Sequence, residues 1–285
     1  MGRLIHTLRL ASLRFSKDGC AFLAQAVAFN AIFALFPLVV LILSAASIIF
    51  PFAQERVLNF LGTFSPTLHQ FVAANIQTYI YGRGITSIIA LIFLVWSGKN
   101  LFMGLAFALD RALNVPAGRP FFHNVAVSIV MLPVIGLILM IAMALPIVIS
   151  IAMFLAQVPD RQNLTHFSAY GISLALVFVV TMVLYRFLPN RRISWSFSLP
   201  GGVLVAILWP LVQFAFTQYT LHVNFTQIYG ALSVPLALLL WFYVIGSVFF
   251  FGAEFSAAWH VKDTAGLARV DDLLDALPAK QRVKR

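Results

Sequence analysis

Long apolar stretches without a formal charge dominate the pattern of hydrophobic and polar positions along the chain. Residues 19–54, 120–159, 162–185 and 193–253 contain no Asp, Glu, Lys or Arg. About 20 apolar residues suffice for a helix to cross the hydrocarbon core of a bilayer. The last stretch is too long for one helix and is interrupted by the polar segment 222–227, so it predicts a hairpin of two helices.

The pattern as a whole predicts an all-α fold, a polytopic bundle of six transmembrane helices. We place the spans at about 21–50, 85–109, 124–156, 168–188, 198–221 and 229–259. They form a transmembrane domain at 21–260, followed by a cytoplasmic tail at 261–285. In the periplasmic loop 51–84, apolar residues recur at roughly helical spacing, which favours an interfacial helix within it.

The segment 1–20 has the pattern of an amphipathic helix. Its predicted apolar stripe consists of Leu4, Leu8, Ala11 and Phe15, and its predicted polar face carries Arg3, Arg14 and Lys17. An interfacial helix presents such a stripe to the membrane and its basic residues to the headgroups. We favour a helix lying on the cytoplasmic leaflet, with a solvated basic tail as the alternative.

Composition and charge agree with a membrane protein and indicate its orientation. The chain is 61% hydrophobic and 10% charged, with a mean hydropathy of +0.95. With six spans, fifteen of the nineteen Lys and Arg residues fall on the side that carries both termini. Because cytoplasmic loops retain positive charge, we expect both termini in the cytoplasm. The single cysteine, Cys20, excludes an intramolecular disulfide.

Two ionisable residues inside predicted spans, Lys99 and Glu254, are the first candidates for function, because charges in a bilayer are costly. Their depths differ by roughly 8 Å, so they could pair, or each could reach the cytoplasmic interface separately. The polar residues Gln213, Thr217 and Asn30 could line a cavity with them, or could form hydrogen bonds between helices.

The sequence lacks the residues that the catalytic sites of soluble enzymes require. The six histidines are scattered without metal-binding spacing, and phosphate-binding loops, nucleophile elbows and nucleic-acid modules are missing. We expect no catalytic residue, metal, cofactor or nucleic-acid partner. An intramembrane enzyme would need a second acid or nucleophile close to Glu254, and the sequence offers no obvious one.

Four segments, 184–192, 228–232, 241–243 and 252–255, carry a resemblance to the YihY/BrkB family of bacterial inner-membrane proteins. Their characteristic residues, with one further tryptophan, are Tyr185, Pro189, Asn190, Trp209, Tyr229, Gly230, Trp241, Tyr243 and Gly252. The similarity extends over about residues 20–260. It implies a multi-pass protein of the bacterial inner membrane, linked in some relatives to virulence or envelope phenotypes; some members carry a ribonuclease label.

The resemblance and the membrane pattern together lead to two functional hypotheses. The first is a transporter, or a protein that translocates a lipid or lipid-linked substrate of the cell envelope. The alternative is a membrane scaffold that regulates envelope enzymes without transport. In either case Arg186, Arg191 and Arg192 are expected to bind lipid headgroups or to anchor the topology. Membrane lipids are the expected partners, and the chain could also form a homo-oligomer.

Overall fold

The structure, a computed structural model, describes residues 2–49, 83–115, 120–156, 161–223 and 229–260. The helices in these segments are α1 (Gly2–Lys17), α2 (Cys20–Ile49), α3 (Arg83–Ala112), α4 (Phe121–Leu155), α5 (Arg161–Phe187), α6 (Trp195–His222) and α7 (Ser233–Trp259). A 3₁₀ turn, Gly230–Leu232, precedes α7. The predicted all-α fold class is confirmed.

Among the described residues, six helices, α2 to α7, are long and apolar enough to cross a membrane, which confirms the predicted number. The structure begins α5 at Arg161, where the sequence pattern placed the span at 168, and begins α7 at Ser233 after the 3₁₀ turn. The predicted interfacial helix of the loop 51–84 lies outside the described residues, apart from 83 and 84, which belong to α3. The predicted tail 261–285 also lies outside them.

The six apolar helices pack in a closed ring. Each of α2 to α6 packs against the next helix along the chain, and α7 closes the ring by packing against α2. Helix α7 also contacts α3, and α1 lies against α7 and α2. Because a helix satisfies its backbone hydrogen bonds internally, such a bundle exposes no unpaired backbone groups to lipid along the length of its helices.

One end of the bundle is packed more tightly than the rest. We call it the basic end; it comprises the beginnings of α2, α4 and α6 and the ends of α3, α5 and α7. The largest completely buried side chains all lie towards it: Tyr185, Phe250, Leu109, Leu188, Glu254, Pro189, Cys20, Ser128, Ser198 and Ser256. Towards the other end, α3, α6 and α7 expose large apolar side chains such as Ile88, Leu211 and Leu239.

Local sequence explains how helices begin and end at the basic end. Asn114 has a φ of 51°, and the amides of Asn114 and Val115 donate to the carbonyls of Arg111 and Asp110, which ends α3 in a Schellman motif. At the start of α6, the Ser194 side chain accepts a hydrogen bond from the Phe197 amide.

The amphipathic segment forms helix α1, but the predicted direction of its faces was wrong in part. Leu10 and Ala11 are buried against α7, whereas Leu4 is 49% exposed. Arg14, assigned to the polar face, points into the bundle instead. The buried face differs from the predicted stripe because α1 packs against α7 and not only against lipid. Helix α7 provides a buried acid, Glu254, for Arg14.

Candidate functional site at the basic end of the bundle

Glu254 lies in the last two turns of α7 and is completely buried, with an exposed fraction of 0%. Its neighbours in sequence, 252–258, are small residues apart from Phe255, and all are buried. Small side chains allow helices to approach closely, which removes water from the carboxylate. A buried carboxylate without a partner is strongly unfavourable, so its partners determine what this position can do.

Arg14 is the cation that pairs with Glu254. Its Nε donates to Oε2 of Glu254 at 2.9 Å, and its side chain is 19% exposed. Its Nη2 also donates to the carbonyl oxygen of Ala112, at 3.3 Å. Ala112 is the last residue of α3, where unpaired carbonyls and the helix dipole both favour a positive charge. Arg14 therefore links α1 to α7 and α3.

Two more side chains that carry chemistry lie next to this ion pair. The thiol of Cys20, buried at the start of α2, donates to Oε1 of Glu254 at 3.5 Å. Asp18, in the turn between α1 and α2, is a second acid in electrostatic contact with Glu254. The sequence offered no obvious second acid or nucleophile near Glu254, and the structure places both beside it.

A second polar contact ties α3 to the turn after α5. The Asn190 backbone amide donates to Oδ1 of Asp110 at 2.7 Å, and its side-chain Nδ2 donates to Oδ2 of the same carboxylate. Pro189, completely buried, precedes Asn190 and cannot continue the helix. The Pro-Asn motif thus ends α5 and attaches it to the end of α3.

Helices α6 and α7 meet at glycine positions beside Glu254. A Cβ atom on Gly201 would lie 2.1 Å from the carbonyl oxygen of Gly252, which is closer than real atoms approach. The Gly201 amide donates to the Ser256 hydroxyl at 2.8 Å. Tyr185 of α5 reaches the same region, and its hydroxyl donates to the carbonyl of Phe249. These contacts hold α7 in position around the ion pair.

Lys99, which the sequence allowed either to pair with Glu254 or to reach the interface separately, is not the residue that pairs with Glu254 in the structure. The Glu254 carboxylate pairs with Arg14, and Lys99 lies partly buried near the middle of α3. Thirteen residues separate Lys99 from the end of α3, a rise of about 20 Å. This difference in depth explains why Lys99 does not pair with Glu254, whereas Arg14 lies at the same level as the carboxylate.

The predicted polar lining residues bond to their own helices. The Thr217 hydroxyl donates to the carbonyl of Gln213 at 2.8 Å, and Asn30 Nδ2 donates to the carbonyl of Ala26 at 3.0 Å. Gln213 and Thr217 are exposed, and Asn30 is partly buried facing Gly104. The structure does not gather these residues around Glu254.

The three predicted headgroup anchors differ in their surroundings. Arg186 stacks on Trp195, with its Cζ 4.6 Å from the ring centroid, and its Nη1 donates to the carbonyl of Ile193 at 3.0 Å. It therefore braces the turn between α5 and α6. Arg191 and Arg192 are exposed at the basic end, where they are accessible to headgroups.

The remaining motif residues shape α6 and α7. Trp241 contacts Trp209 and Phe216, with ring centroids 5.8 and 4.6 Å apart. Tyr243 packs partly buried against the main core. Tyr229 is exposed, and Gly230, the first residue of the 3₁₀ turn, has a φ of 53°, a conformation that favours glycine.

Sequence reasoning missed Arg14, Asp18 and Cys20 as neighbours of Glu254. A usable pattern existed, because Thr7, Ala11, Arg14 and Asp18 recur at helical spacing and an even number of spans brings both ends of the chain to one side.

Among the residues that the structure describes, no group of three or more His, Cys, Asp or Glu side chains could hold a metal ion.

Six apolar helices in a ring, with a buried ion pair at one end, define this chain as a polytopic helical membrane protein. More specifically, it belongs to the family described as Virulence factor BrkB, whose sequence model matches residues 11–271. This membership confirms the resemblance found in the motifs.

Curated relatives from bacteria cover most of the chain. One relative is the Bacillus subtilis (strain 168) protein YfkH, whose name describes it as ribonuclease-like. It is 25% identical to this chain over 243 residues, which cover 82% of this chain and 88% of YfkH. A UPF0761 membrane protein of Coxiella burnetii (strain Dugway 5J108-111) is 28% identical over 264 residues, covering 89% of this chain and 93% of its own. No solved structure matches the chain.

Proposed function

We propose that this protein is a transporter of the bacterial inner membrane that moves a lipid or a lipid-linked substrate of the cell envelope. The observation that carries the proposal is the completely buried Glu254 carboxylate, paired with Arg14 from a helix outside the ring. Ionisable residues within membrane-spanning helices commonly mark pathways for substrates or ions.

Stability alone is a poor explanation for such a pair. The cost of removing two charges from water can exceed their mutual attraction, and apolar residues of similar size often give equal or greater stability. Compared with an apolar contact, a charged pair between an outer helix and the ring is better suited to form in one conformation and separate in another, because both charges can be hydrated when apart. Alternation between conformations is what transport requires.

The conformation described is closed at the basic end, where Glu254 is sealed by α1. Glu254 was expected from the sequence to line a cavity, and in this conformation it is covered instead. We propose that Glu254 lines the substrate path only after the basic end opens. Lys99, partly buried in the middle of α3, would then provide a positive charge for a phosphate headgroup at intermediate depth.

We propose no enzymatic step for this chain. Membrane lipids are its partners, and the ionisable residues serve to bind and guide a headgroup. The ribonuclease-like name of the Bacillus relative belongs to that protein.

Translocation of a headgroup-labelled phospholipid in liposomes containing the purified protein tests the proposal. Empty liposomes and the variants Glu254→Gln, Lys99→Met and Arg9→Gln are run beside it. Arg9 is an exposed residue of α1 and serves as the matched charge control. We expect protein-dependent movement that falls by about tenfold or more in the first two variants, since about 1.4 kcal/mol of lost transition-state stabilisation has this effect.

Folded, correctly inserted protein that moves no more lipid than empty liposomes contradicts lipid translocation. If the same protein then copurifies with a stoichiometric envelope enzyme, the scaffold hypothesis replaces it.

A further inference from the structure

Helix α1 is joined to the bundle by one short turn. Asp18 and Gly19 separate the end of α1 at Lys17 from the start of α2 at Cys20. Gly19 has a φ of 67°, in the left-handed region where glycine is unstrained. A Cβ atom at this position would meet no atom within 4 Å, so the turn is not held by packing around Gly19.

The contacts that hold α1 against the bundle lie on one face, from the middle of the helix to its end. Leu10 and Ala11 form a small core with Phe255 and Ala258 of α7, separate from the main core of the bundle. Phe15 meets Phe251 edge to face, with ring centroids 6.1 Å apart. This apolar contact is small compared with the main core, which draws buried side chains from α2, α3, α4, α5 and α7.

Arg14 adds the charged contact to this face, and it covers a buried group. Beneath it lie the Glu254 carboxylate, at 2.9 Å, and the Cys20 thiol, which is itself 3.5 Å from that carboxylate. Both Glu254 and Cys20 have an exposed fraction of 0%. Helix α1 is therefore what separates these groups from the surface at the basic end.

The opposite face of α1 suits a membrane surface. Ile5 and Arg9 are exposed on this face, Leu4 and Lys17 are exposed near the two ends of the helix, and the helix contains no acidic residue. A basic helix with exposed apolar residues is stable at a bilayer interface. Lifted from α7, α1 would thus remain at the interface, and Arg14 would exchange its carboxylate for water or headgroups.

We propose that α1 is a hinged strap that closes the basic end, with Gly19 as its hinge and the Arg14–Glu254 pair as its latch. Opening the strap exposes Glu254 and Cys20 to the aqueous side, next to the partly exposed Asp18. Separation is feasible because both charges recover their hydration, which offsets the attraction lost. The strap gives the proposed transport its gate, but its movement is measurable whether or not any lipid is transported.

Cys20 reports the opening directly, because it is the single cysteine of the chain and lies under the strap. The experiment measures how fast a water-soluble maleimide modifies the full-length protein in lipid nanodiscs. We expect slow modification of the wild type and modification about tenfold faster or more in Arg14→Gln, corresponding to about 1.4 kcal/mol of latch energy. Removing the nearby cation disfavours the reactive thiolate, so faster modification reports access rather than chemistry.

Three comparisons make the result specific to the latch. Arg14→Lys, which keeps the charge, and Arg9→Gln, which removes an exposed charge from the same helix, should both stay close to the wild-type rate. Adding Arg14→Gln to Glu254→Gln should produce little further acceleration, because the pair is already broken.

Loosening of the whole bundle is tested with a second reporter. Ser128 of α4 is completely buried away from α1, and Ser128→Cys in a Cys20→Ser background places a thiol there. Arg14→Gln should leave the modification rate of this reporter unchanged. A parallel rise at Ser128→Cys, or a wild-type rate at Cys20 in folded Arg14→Gln protein, would overturn the strap. Opening without lipid movement would overturn the proposed function alone.

Discussion

At the scale of single residues, the arrangement around Glu254 depends on the balance between desolvation and pairing. The carboxylate has lost all contact with water, and Arg14 compensates with one charged hydrogen bond while also binding the end of α3. Asp18 adds a second negative charge nearby. The cluster is therefore sensitive to the loss of its cation.

Removing Arg14 alone should be worse than removing the whole pair. Arg14→Met leaves Glu254 without its partner, so that α1 either closes over an unpaired charge or opens and gives up its contacts with α7. We expect a loss of up to about 3–5 kcal/mol in the free energy of unfolding. The double variant Arg14→Met/Glu254→Met should lose less, because no unpaired charge remains. Thermal unfolding of the purified protein in detergent measures both, with Lys99→Met as the single-charge control. Losses that add up in the double variant would show that the two residues are not coupled.

At the scale of helices, the position of α7 is decided by close contacts with its neighbours. Gly201 and Gly252 bring α6 and α7 within backbone contact, and Tyr185 hydrogen-bonds the α7 backbone from α5. Close helix approach is the main source of packing energy where lipid is as apolar as the side chains. The depth of Glu254 beneath α1 follows from this packing.

A methyl group at the α6–α7 contact should separate the two helices. In Gly201→Ala the new Cβ would meet the Gly252 carbonyl at 2.1 Å, so we expect a loss of about 1–3 kcal/mol from overpacking. The matched control is Gly136→Ala in α4, where a Cβ would meet nothing within 4 Å. There we expect no loss, or a gain of up to about 1 kcal/mol from reduced backbone entropy. Equal thermal stability of the two variants would contradict the close contact.

At the scale of the whole molecule, six apolar helices bring both ends of the described chain to the same end of the bundle. The Arg14–Glu254 contact joins the first and last helices directly. Basic residues at this end include Arg111, Arg191 and Arg192, which agrees with the charge bias expected of a cytoplasmic face.

Reporters at the two termini should therefore give the same result in cells. A fluorescent protein that matures only in the cytoplasm, fused to either terminus, should fluoresce in both fusions. A periplasmic reporter enzyme fused at the same positions should stay inactive in both. Opposite behaviour of the two termini would require an odd number of crossings.

The number and approximate limits of the apolar helices could be predicted from the sequence because they depend on composition along one segment at a time. The length of the uncharged stretches, a local property, was enough to predict α2 and α4 to α7. Helix α3 was predicted as well, although it contains Lys99. The main difference, at α5, arose where polar residues such as Arg161 and Gln162 begin a helix that extends beyond its apolar part. A hydropathy pattern does not mark such an end.

The candidate site was only half predictable. Glu254 could be identified alone, because a carboxylate in an apolar span is unusual by itself. Its partner could not, since both Lys99 and Arg14 were compatible with the topology and the choice depends on depth and on the direction of α1. Arg14 reaches Glu254 because of the rotation of α1, whose apolar stripe was expected to face lipid and whose buried residues face α7 in the structure.

By itself, the sequence determined the solvent of this protein, its helical class and the number of its spans, because burial of backbone in a bilayer permits few alternatives for long apolar segments. Only the tertiary structure decided which charges meet. Pairing between Arg14 and Glu254, the cover that α1 forms over Cys20, and the attachment of Asn190 to Asp110 depend on how helices pack and rotate. Those contacts join residues up to 240 positions apart, and no local pattern encodes such distances.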